Sequence, residues 1–245
     1  MSGPASETPV AIGGTGSYLP ERVLTNADLT AMVDTTDEWI VSRTGIKERR
    51  IAAEGEYTSH MATKAAEQAL AQAGVEPEDL ELIIVATITP DTLTPATACY
   101  VQQNLGAHRA VAFDISAACS GFLYAMKIAK RLISDGAFKN ALIIGAEKLS
   151  SFINWEDRTT CVLFGDGAGA MVVERSTDPD RGIIYSDLGA DGGSWEALNC
   201  QAYGSRHPAD VPLEDPTAIY MQIQGRQIYQ QAVRRIVDSV VACLD

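Results

Sequence analysis

The fold is decided by the stretch Ala110-Val-Ala-Phe-Asp-Ile-Ser-Ala-Ala-Cys-Ser-Gly-Phe-Leu-Tyr-Ala-Met126. Its first part, residues 111–115, is an apolar run that predicts a buried strand. After it, helical spacing predicts one apolar helix face, formed by Phe122, Met126, Ala129 and Ile133. Gly136 follows where a glycine commonly ends a helix. The pattern therefore places Cys119 on a tight turn between a strand and a helix.

The position of Cys119 suits a nucleophile. A helix N-terminus stabilises negative charge, and the thiolate is the reactive form of cysteine. The backbone N–H groups of such a turn can also hold an oxyanion. Free cysteines are, however, more often small buried apolar residues. From the residues alone, both interpretations of Cys119 stay open.

Composition narrows the class of protein. The chain has 245 residues, 46% of them hydrophobic, a net charge of −13 and no Lys/Arg-rich run. This balance argues against nucleic acid or an anionic membrane surface as the main partner. The five cysteines are widely spaced without a C-x-x-C pair, so neither a disulfide framework nor a zinc site is predicted. With no signal peptide and no transmembrane-length apolar run, we predict a cytoplasmic protein.

Apolar patterning along the chain predicts alternating strands and helices. The predicted strands are 10–19, 46–51, 80–87, 111–115, 140–147 and 171–174, and the predicted helices are 27–33, 35–45, 58–74, 95–105 and 119–136. Asn26 is the expected cap of the first helix. The order predicts an α/β domain with a mostly parallel sheet covered by helices on both faces. A second unit is predicted with strands at 182–185 and 218–223 and a helix at 228–244.

Five motifs, in order along almost the whole chain, carry a family resemblance. They are Gly14-Thr-Gly-Ser-Tyr-Leu-Pro20, Thr36-Asp-Glu-Trp-Ile-Val-Ser-Arg-Thr-Gly-Ile46, Asp114-Ile-Ser-Ala-Ala-Cys-Ser-Gly-Phe122, Gly145-Ala-Glu147 and Phe164-Gly-Asp-Gly-Ala-Gly-Ala170. Together they resemble β-ketoacyl-acyl-carrier-protein synthase III, a condensing enzyme of the thiolase superfamily. Each motif is weak by itself, and the set is specific.

The resemblance implies a thiolase-like α/β fold of two similar halves, stacked in α-β-α-β-α layers. Residues 1–178 would be the N-terminal half that carries the nucleophile, and residues 179–245 the start of an incomplete C-terminal half. The resemblance also implies a homodimer that shares a sheet edge near residues 111–115.

The chemistry that the resemblance implies begins at Cys119, which would take an acyl group from acyl-CoA as a thioester. Malonyl-acyl-carrier protein would then lose CO2, and the resulting carbanion would attack that thioester. The product would be a 3-oxoacyl-carrier protein, at the start of fatty-acid or polyketide synthesis. Acyl-CoA is a substrate here, and no cofactor or metal is implied.

The family's substrate-binding positions map onto individual residues of this chain. Trp39 and Arg158 match the residues that clamp the adenine of CoA, and Thr35 and Arg43 match neighbours that meet its phosphates and pantetheine. Gly225 matches a glycine beside the pantetheine channel. Without the resemblance, Trp39 would be interpreted as a core aromatic and Arg158 as a surface ion-pair residue.

Two further family features concern the acyl pocket and the remaining catalytic groups. Thr94 stands where the family places a residue, often aromatic, that partly closes the partner subunit's acyl pocket. The family completes its site with a later histidine and asparagine, which none of His60, His108 and His207 matches; all three are predicted to be surface residues. We therefore expect the chain to be a fragment that does not condense by itself, with an inactive short paralogue as the alternative.

Three other functions remain as alternatives. One is a synthase III-like acyltransferase of secondary metabolism that transfers an acyl group without decarboxylation. Another is a non-catalytic partner subunit of a condensing dimer, which the intact Cys119 disfavours. A thiolase is the third, and the motifs around Trp39 and Arg158 fit it less well.

Overall fold

The computed structural model describes residues 8–201, 204–206 and 214–244. Two compact units are formed from interleaved segments of the chain. The first comprises residues 8–21, 52–148 and 166–186, and the second comprises residues 22–51, 149–165 and 187–244. The predicted division into two similar halves near residue 178 stays a prediction.

Nine strands and six α-helices make up the regular structure of the described residues. The strands are β1 (Val10–Tyr18), β2 (Arg22–Thr25), β3 (Glu48–Ile51), β4 (Leu82–Ala86), β5 (Val111–Ile115), β6 (Asn140–Lys148), β7 (Asp166–Arg175), β8 (Leu198–Asn199) and β9 (Gln222–Ile223). The helices are α1 (Asn26–Thr30), α2 (Asp37–Thr44), α3 (Thr58–Ala73), α4 (Thr97–Leu105), α5 (Gly121–Ser134) and α6 (Gly225–Leu244).

The first unit is built on a five-stranded mixed sheet in the order β1-β7-β6-β4-β5. Strand β4 runs parallel to β5 and β6, whereas β7 runs antiparallel to both β1 and β6. The prediction of a mostly parallel sheet is therefore wrong for half of the pairings. Apolar runs identify buried strands but carry no signal for their direction.

Helices cover both faces of this sheet, as predicted. On one face α3 and α4 pack over residues such as Ile83 and Val85, and on the other α5 packs over Leu82 and Ile84. The alanine-rich α3 lies directly against β1, where a Cβ on Gly16 would overlap the backbone of α3. Every residue of β4 is buried, which explains its unbroken apolar sequence.

Four local predictions need correction. Of the predicted strand 218–223, only Gln222–Ile223 is a strand, and Pro216–Ile219 is a 3-10 turn. Strand β5 is not buried: it is the edge of the sheet, and Val111 is 51% exposed. Residues 182–185 form no strand, although the Ile183 N–H donates to the carbonyl of Val10. Helix α1 is capped by Thr25, because its hydroxyl accepts from the Asp28 N–H. Asn26 is instead a buried residue of the first turn.

The second unit contains the β2–β3 ladder, the short β8–β9 ladder and helices α1, α2 and α6. Helix α2 has Thr36 as its N-cap and ends at Gly45, which adopts a φ of 73°. Helix α6 runs for 20 residues, as the sequence predicted from residue 228 onward. In the described part of the chain, no helix is long and apolar enough to cross a membrane.

Two of the three histidines lie among the described residues. His60 and His108 are exposed, as predicted. His207 lies outside the described residues.

Candidate active site

The turn that carries Cys119 lies in the first unit, between β5 and α5. A short 3-10 turn, Ala118–Ser120, follows the strand, and α5 begins at Gly121. Ala118 adopts a φ of 45°, a left-handed conformation that costs a non-glycine residue about 1–2 kcal/mol. The Cys119 side chain is exposed at the end of this strained turn. Its exposure is inconsistent with Cys119 being a buried apolar residue.

Close packing brings the start of α5 onto the central strand of the sheet. A Cβ on Gly121 would lie 3.0 Å from the Cβ of Ala86 at the end of β4. Only glycine lets the helix N-terminus approach the strand this closely. The thiol is thus held at the carboxyl edge of the parallel strands, immediately before the N-terminus of α5.

Glu147, at the end of β6, organises the loop that follows β4. Its Oε1 accepts from the Ile88 N–H at 2.9 Å, and its Oε2 accepts from the Thr89 hydroxyl at 2.6 Å. Burial raises the pKa of Glu147, and the bonds from Thr89 and Ile88 oppose that effect. A half-buried carboxyl therefore fixes the backbone of residues 88–89.

The same loop is held from its other side by the start of α3. The Thr58 hydroxyl donates to the Thr89 carbonyl at 2.6 Å, and the Asp91 carboxylate accepts from the Ser59 N–H at 3.0 Å. Thr94 follows in this loop and is exposed. The loop that bears Thr94 is therefore anchored at its base and open at its tip.

In the second unit, Trp39, Arg43 and Arg158 come together. The guanidinium carbon of Arg43 lies 4.5 Å from the centroid of the Trp39 ring, and that of Arg158 lies 5.2 Å from it. Arg158 also donates from Nη1 to the Asp34 carbonyl at 2.8 Å. Two exposed cations next to one half-buried indole form a charged aromatic surface, in which Arg158 also pairs with the Asp34 carboxylate at 3.9 Å.

The remaining predicted residues of this unit have different environments. Thr35 immediately precedes the N-cap of α2, and its Oγ1 is buried with no hydrogen-bond partner among the described residues. Gly225 is the exposed first residue of α6, and a Cβ there would meet nothing within 4 Å. No contact found within the described ranges joins Gly225 to Trp39 or Arg158.

In the glycine-rich motif of residues 164–170, Gly165 lies against β3, and the residues from Asp166 onward belong to β7. A Cβ on Gly165 would lie 2.9 Å from both the Cβ of Arg49 and the carbonyl oxygen of Arg50. Gly167 and Gly169 belong to β7, in the sheet of the first unit. Among the glycines of this motif, an added Cβ would therefore be most crowded at Gly165.

Sequence reasoning missed two polar residues near these sites. The motif that contains Glu147 does not indicate what this residue does. Its bonds to the loop between β4 and α4 reach residues 58 and 59 positions away, so the neighbouring sequence does not predict them. Arg49 is only 6% exposed, and its bonds reach as far as Val162. The short charged sequence of β3 gave no indication that Arg49 is buried.

Comparison with known proteins decides the family. The family model of 3-oxoacyl-[acyl-carrier-protein] synthase III matches residues 113–192, which include Cys119. The β-ketoacyl-[acyl-carrier-protein] synthase III of Caldanaerobacter subterraneus is 52% identical over 232 residues, which are 95% of this chain and 70% of that protein. The chain belongs to the β-ketoacyl-acyl-carrier-protein synthase III family.

Solved structures agree with this synthase III assignment. The 3-oxoacyl-[acyl-carrier-protein] synthase III of Aquifex aeolicus is 50% identical, with a TM-score of 0.78 over 90% of this chain and 66% of that one. The priming β-ketosynthase of the R1128 polyketide pathway is 33% identical, with a TM-score of 0.87 over 97% of this chain and 70% of that one. The predicted thiolase-like α/β fold is confirmed, and the chain spans about 70% of the length of its synthase III relatives.

Proposed function

We propose that this chain carries the nucleophile and acyl-CoA site of an enzyme that condenses an acyl group with malonyl-acyl-carrier protein. The observation that carries the proposal is the exposed Cys119 on a strained turn at the N-terminus of α5. Such a turn presents the thiol at the N-terminus of a helix, where a nucleophile is open to a substrate. The names and activities of the relatives point to the same reaction class.

The reaction begins with transfer of the acyl group. The Cys119 thiolate attacks the carbonyl carbon of acyl-CoA, the new carbon–sulfur bond replaces the bond to the CoA sulfur, and CoA leaves as the thiolate. Malonyl-acyl-carrier protein then loses CO2 and attacks the enzyme thioester. A carbon–carbon bond forms, and the carbon–sulfur bond to Cys119 breaks. The electron pair of the broken bond returns to the Cys119 sulfur, and a 3-oxoacyl-carrier protein is released. Backbone N–H groups at the turn hold the oxyanion of each tetrahedral intermediate.

Binding of the nucleotide part of CoA is assigned to Trp39, Arg43 and Arg158. An indole face stacks on adenine, and guanidinium groups pair with phosphate. The grouping of all three side chains around one ring supports this role. We assign Thr35, with its unpaired hydroxyl, to the same ligand.

Gly225 and Thr94 are assigned to the pantetheine channel and to the acyl pocket. The open space around Gly225 supports its role, because a chain that passes there needs room. Thr94 is exposed at the tip of an anchored loop, which is consistent with a side chain that reaches a partner subunit. A homodimer is proposed through β5, which is an unpaired edge strand among the described residues.

Acyl-CoA acts here as a substrate, and the proposed chemistry needs no separate cofactor. The cytoplasmic location stays a prediction from the cysteine pattern.

Radiolabelled short-chain acyl-CoA tests the nucleophile. We expect the protein to retain label after denaturation, and Cys119→Ser to abolish it, because the serine hydroxyl is not ionised at neutral pH. The matched control is Cys200→Ser, since Cys200 is also an exposed cysteine. Equal labelling of Cys119→Ser and the parent protein contradicts the proposal.

A second candidate is priming of polyketide synthesis by the same condensation. The similarity to the R1128 priming β-ketosynthase favours it. Competition between carrier proteins of the two pathways for the acylated enzyme distinguishes the candidates, because the preferred carrier identifies the pathway.

A further inference from the structure

Arg49 is a buried cation without an anionic partner. It lies on β3 and is 6% exposed, and no carboxylate pairs with it among the described residues. Its guanidinium donates instead to three oxygens: from Nη1 to the Leu24 carbonyl at 3.3 Å and Asn26 Oδ1 at 2.8 Å, and from Nη2 to the Val162 carbonyl at 2.9 Å. Burial lowers the pKa of Arg49. A well-packed apolar side chain usually costs less free energy in a buried position than a charged one does. We therefore expect Arg49 to have a role other than stabilising the fold.

One arm of this network reaches both ends of α2. The Asn26 amide, held by Arg49, donates from Nδ2 to Asp37 Oδ1 at 2.7 Å and to the Ile46 carbonyl at 2.8 Å. Asp37 is the first residue of α2, and Ile46 follows the glycine that ends it. The position of α2, and with it Trp39, therefore depends on a side chain that Arg49 orients.

The other arm reaches the turn that carries Arg158. Val162 lies four residues after Arg158, in a segment closed by the bond from the Cys161 N–H to the Asp157 carbonyl at 3.0 Å. The Asp157 carboxylate also accepts from the Thr159 N–H at 2.8 Å. This turn is internally constrained, so a bond at Val162 fixes the whole segment.

We propose that Arg49 is a positioning residue that sets the spacing between Trp39 and Arg158, and so controls affinity for the nucleotide part of acyl-CoA without touching it. Its two arms end on the two elements that form the charged aromatic surface, and Arg158 also meets the Trp39 segment directly, at Asp34 and at the Trp39 ring. This inference rests on the proposed function of Trp39 and Arg158.

The test compares two substrates of different length. Acetyl-CoA carries the nucleotide, whereas acetyl-pantetheine carries only the thioester arm, and transfer of labelled acetyl to Cys119 is measured with each. In Arg49→Lys, which keeps the charge but loses the planar fork, we expect the second-order rate constant for acylation by acetyl-CoA to fall about tenfold, mainly through weaker binding of acetyl-CoA. For acetyl-pantetheine we expect a change of less than about twofold.

A second variant keeps the test decisive if Arg49→Lys does not fold. Asn26→Asp retains an acceptor for Arg49 but removes the donors to Asp37 and Ile46, so it releases only the α2 arm. It should show the same selective loss with acetyl-CoA. The matched control is Arg22→Lys, an exposed arginine on β2, which should change neither substrate.

The outcomes separate the inference from the function on which it rests. An equal fall for both substrates in the Arg49 and Asn26 variants means a general structural role and overturns the positioning proposal alone. A different outcome is that the parent protein uses acetyl-CoA no better than acetyl-pantetheine, and that Trp39→Ala behaves in the same way. That result overturns the nucleotide role of Trp39 and Arg158, and the positioning role of Arg49 with it.

Discussion

Gly165 is a position at which even the Cβ atom of an alanine would not fit without movement of the neighbouring strand. A Cβ there would lie 2.9 Å from two atoms of β3, one of them a backbone oxygen, so the strand itself would have to move. The next residue, Asp166, begins β7. The lack of a side chain is thus a packing requirement at one of the three glycines of the motif.

We expect Gly165→Ala to destabilise the protein by about 1–3 kcal/mol, because overpacking against a strand is relieved only by backbone movement. Urea unfolding measures the change. Gly169→Ala is the matched control from the same motif, since a Cβ at Gly169 meets nothing within 4 Å. Equal stability of the two variants contradicts the steric argument.

Glu147 shows how burial couples a side chain to pH. Its pKa is raised above 4.5, chiefly by burial, so the folded protein keeps the proton to a higher pH than the unfolded chain does. The stability linked to the neutral form is therefore lost as pH rises from the unfolded value through the folded one.

Glu147→Gln cannot ionise, and its amide can still accept from the Ile88 N–H and donate to the Thr89 hydroxyl. We expect the stability of the parent protein relative to this variant to decline as pH rises above about 4.5. Unfolding midpoints in urea between acidic and neutral pH provide the measurement. A difference that stays constant with pH shows that Glu147 does not titrate in this way.

At the scale of elements, helix α4 is joined to the sheet through its N-terminus. Asp114 on β5 accepts from the Thr97 N–H at 2.6 Å and the Ala98 N–H at 2.8 Å, and the N-cap residue Ala96 offers no side-chain bond. A carboxylate from a neighbouring strand thus replaces the usual local cap.

Asp114→Ala should lower the free energy of unfolding by about 1–3 kcal/mol, because it leaves two N–H groups of α4 without acceptors. Thermal unfolding followed by circular dichroism reports the loss. Glu78→Ala, which removes an exposed acid from another part of the same unit, should remain within about 0.5 kcal/mol of the parent. Similar effects of the two variants exclude a capping role.

At the scale of the whole molecule, strand β5 lies at the edge of the sheet and pairs on one side only, with β4. Val111 is 51% exposed, and its N–H donates to the Glu81 carbonyl on the β4 side. Backbone groups alternate in direction along a strand that has a single neighbour, so the N–H of Ala112 points away from β4. Such an edge is suited to pair with a second copy of the chain.

We expect Ala112→Pro to shift the protein from dimer to monomer in light scattering, because proline removes an outward N–H without breaking the β4 ladder. Ala112→Gly keeps that N–H and should stay dimeric, although slightly less stable. A dimer that survives the proline substitution places the interface elsewhere.

The sequence by itself determined the type and order of most elements, the turn at Cys119 and the family. Apolar periodicity and glycine positions are local properties, so α3 and β6 were located almost to the residue and α5 within two residues at each end. The motifs around Cys119 and Trp39 carried the family resemblance, because each residue type matched a family position.

The tertiary structure alone decided strand direction, the edge position of β5 and the environment of Arg49. It also brought Arg158 to the segment of Trp39, through a bond to Asp34 across 124 residues of sequence. Arg49 meets Val162 across 113 residues, and Asn26, predicted as a helix cap, became the link between them and α2. Such contacts depend on which distant groups can pair in a shared interior, and no short window of sequence contains that information.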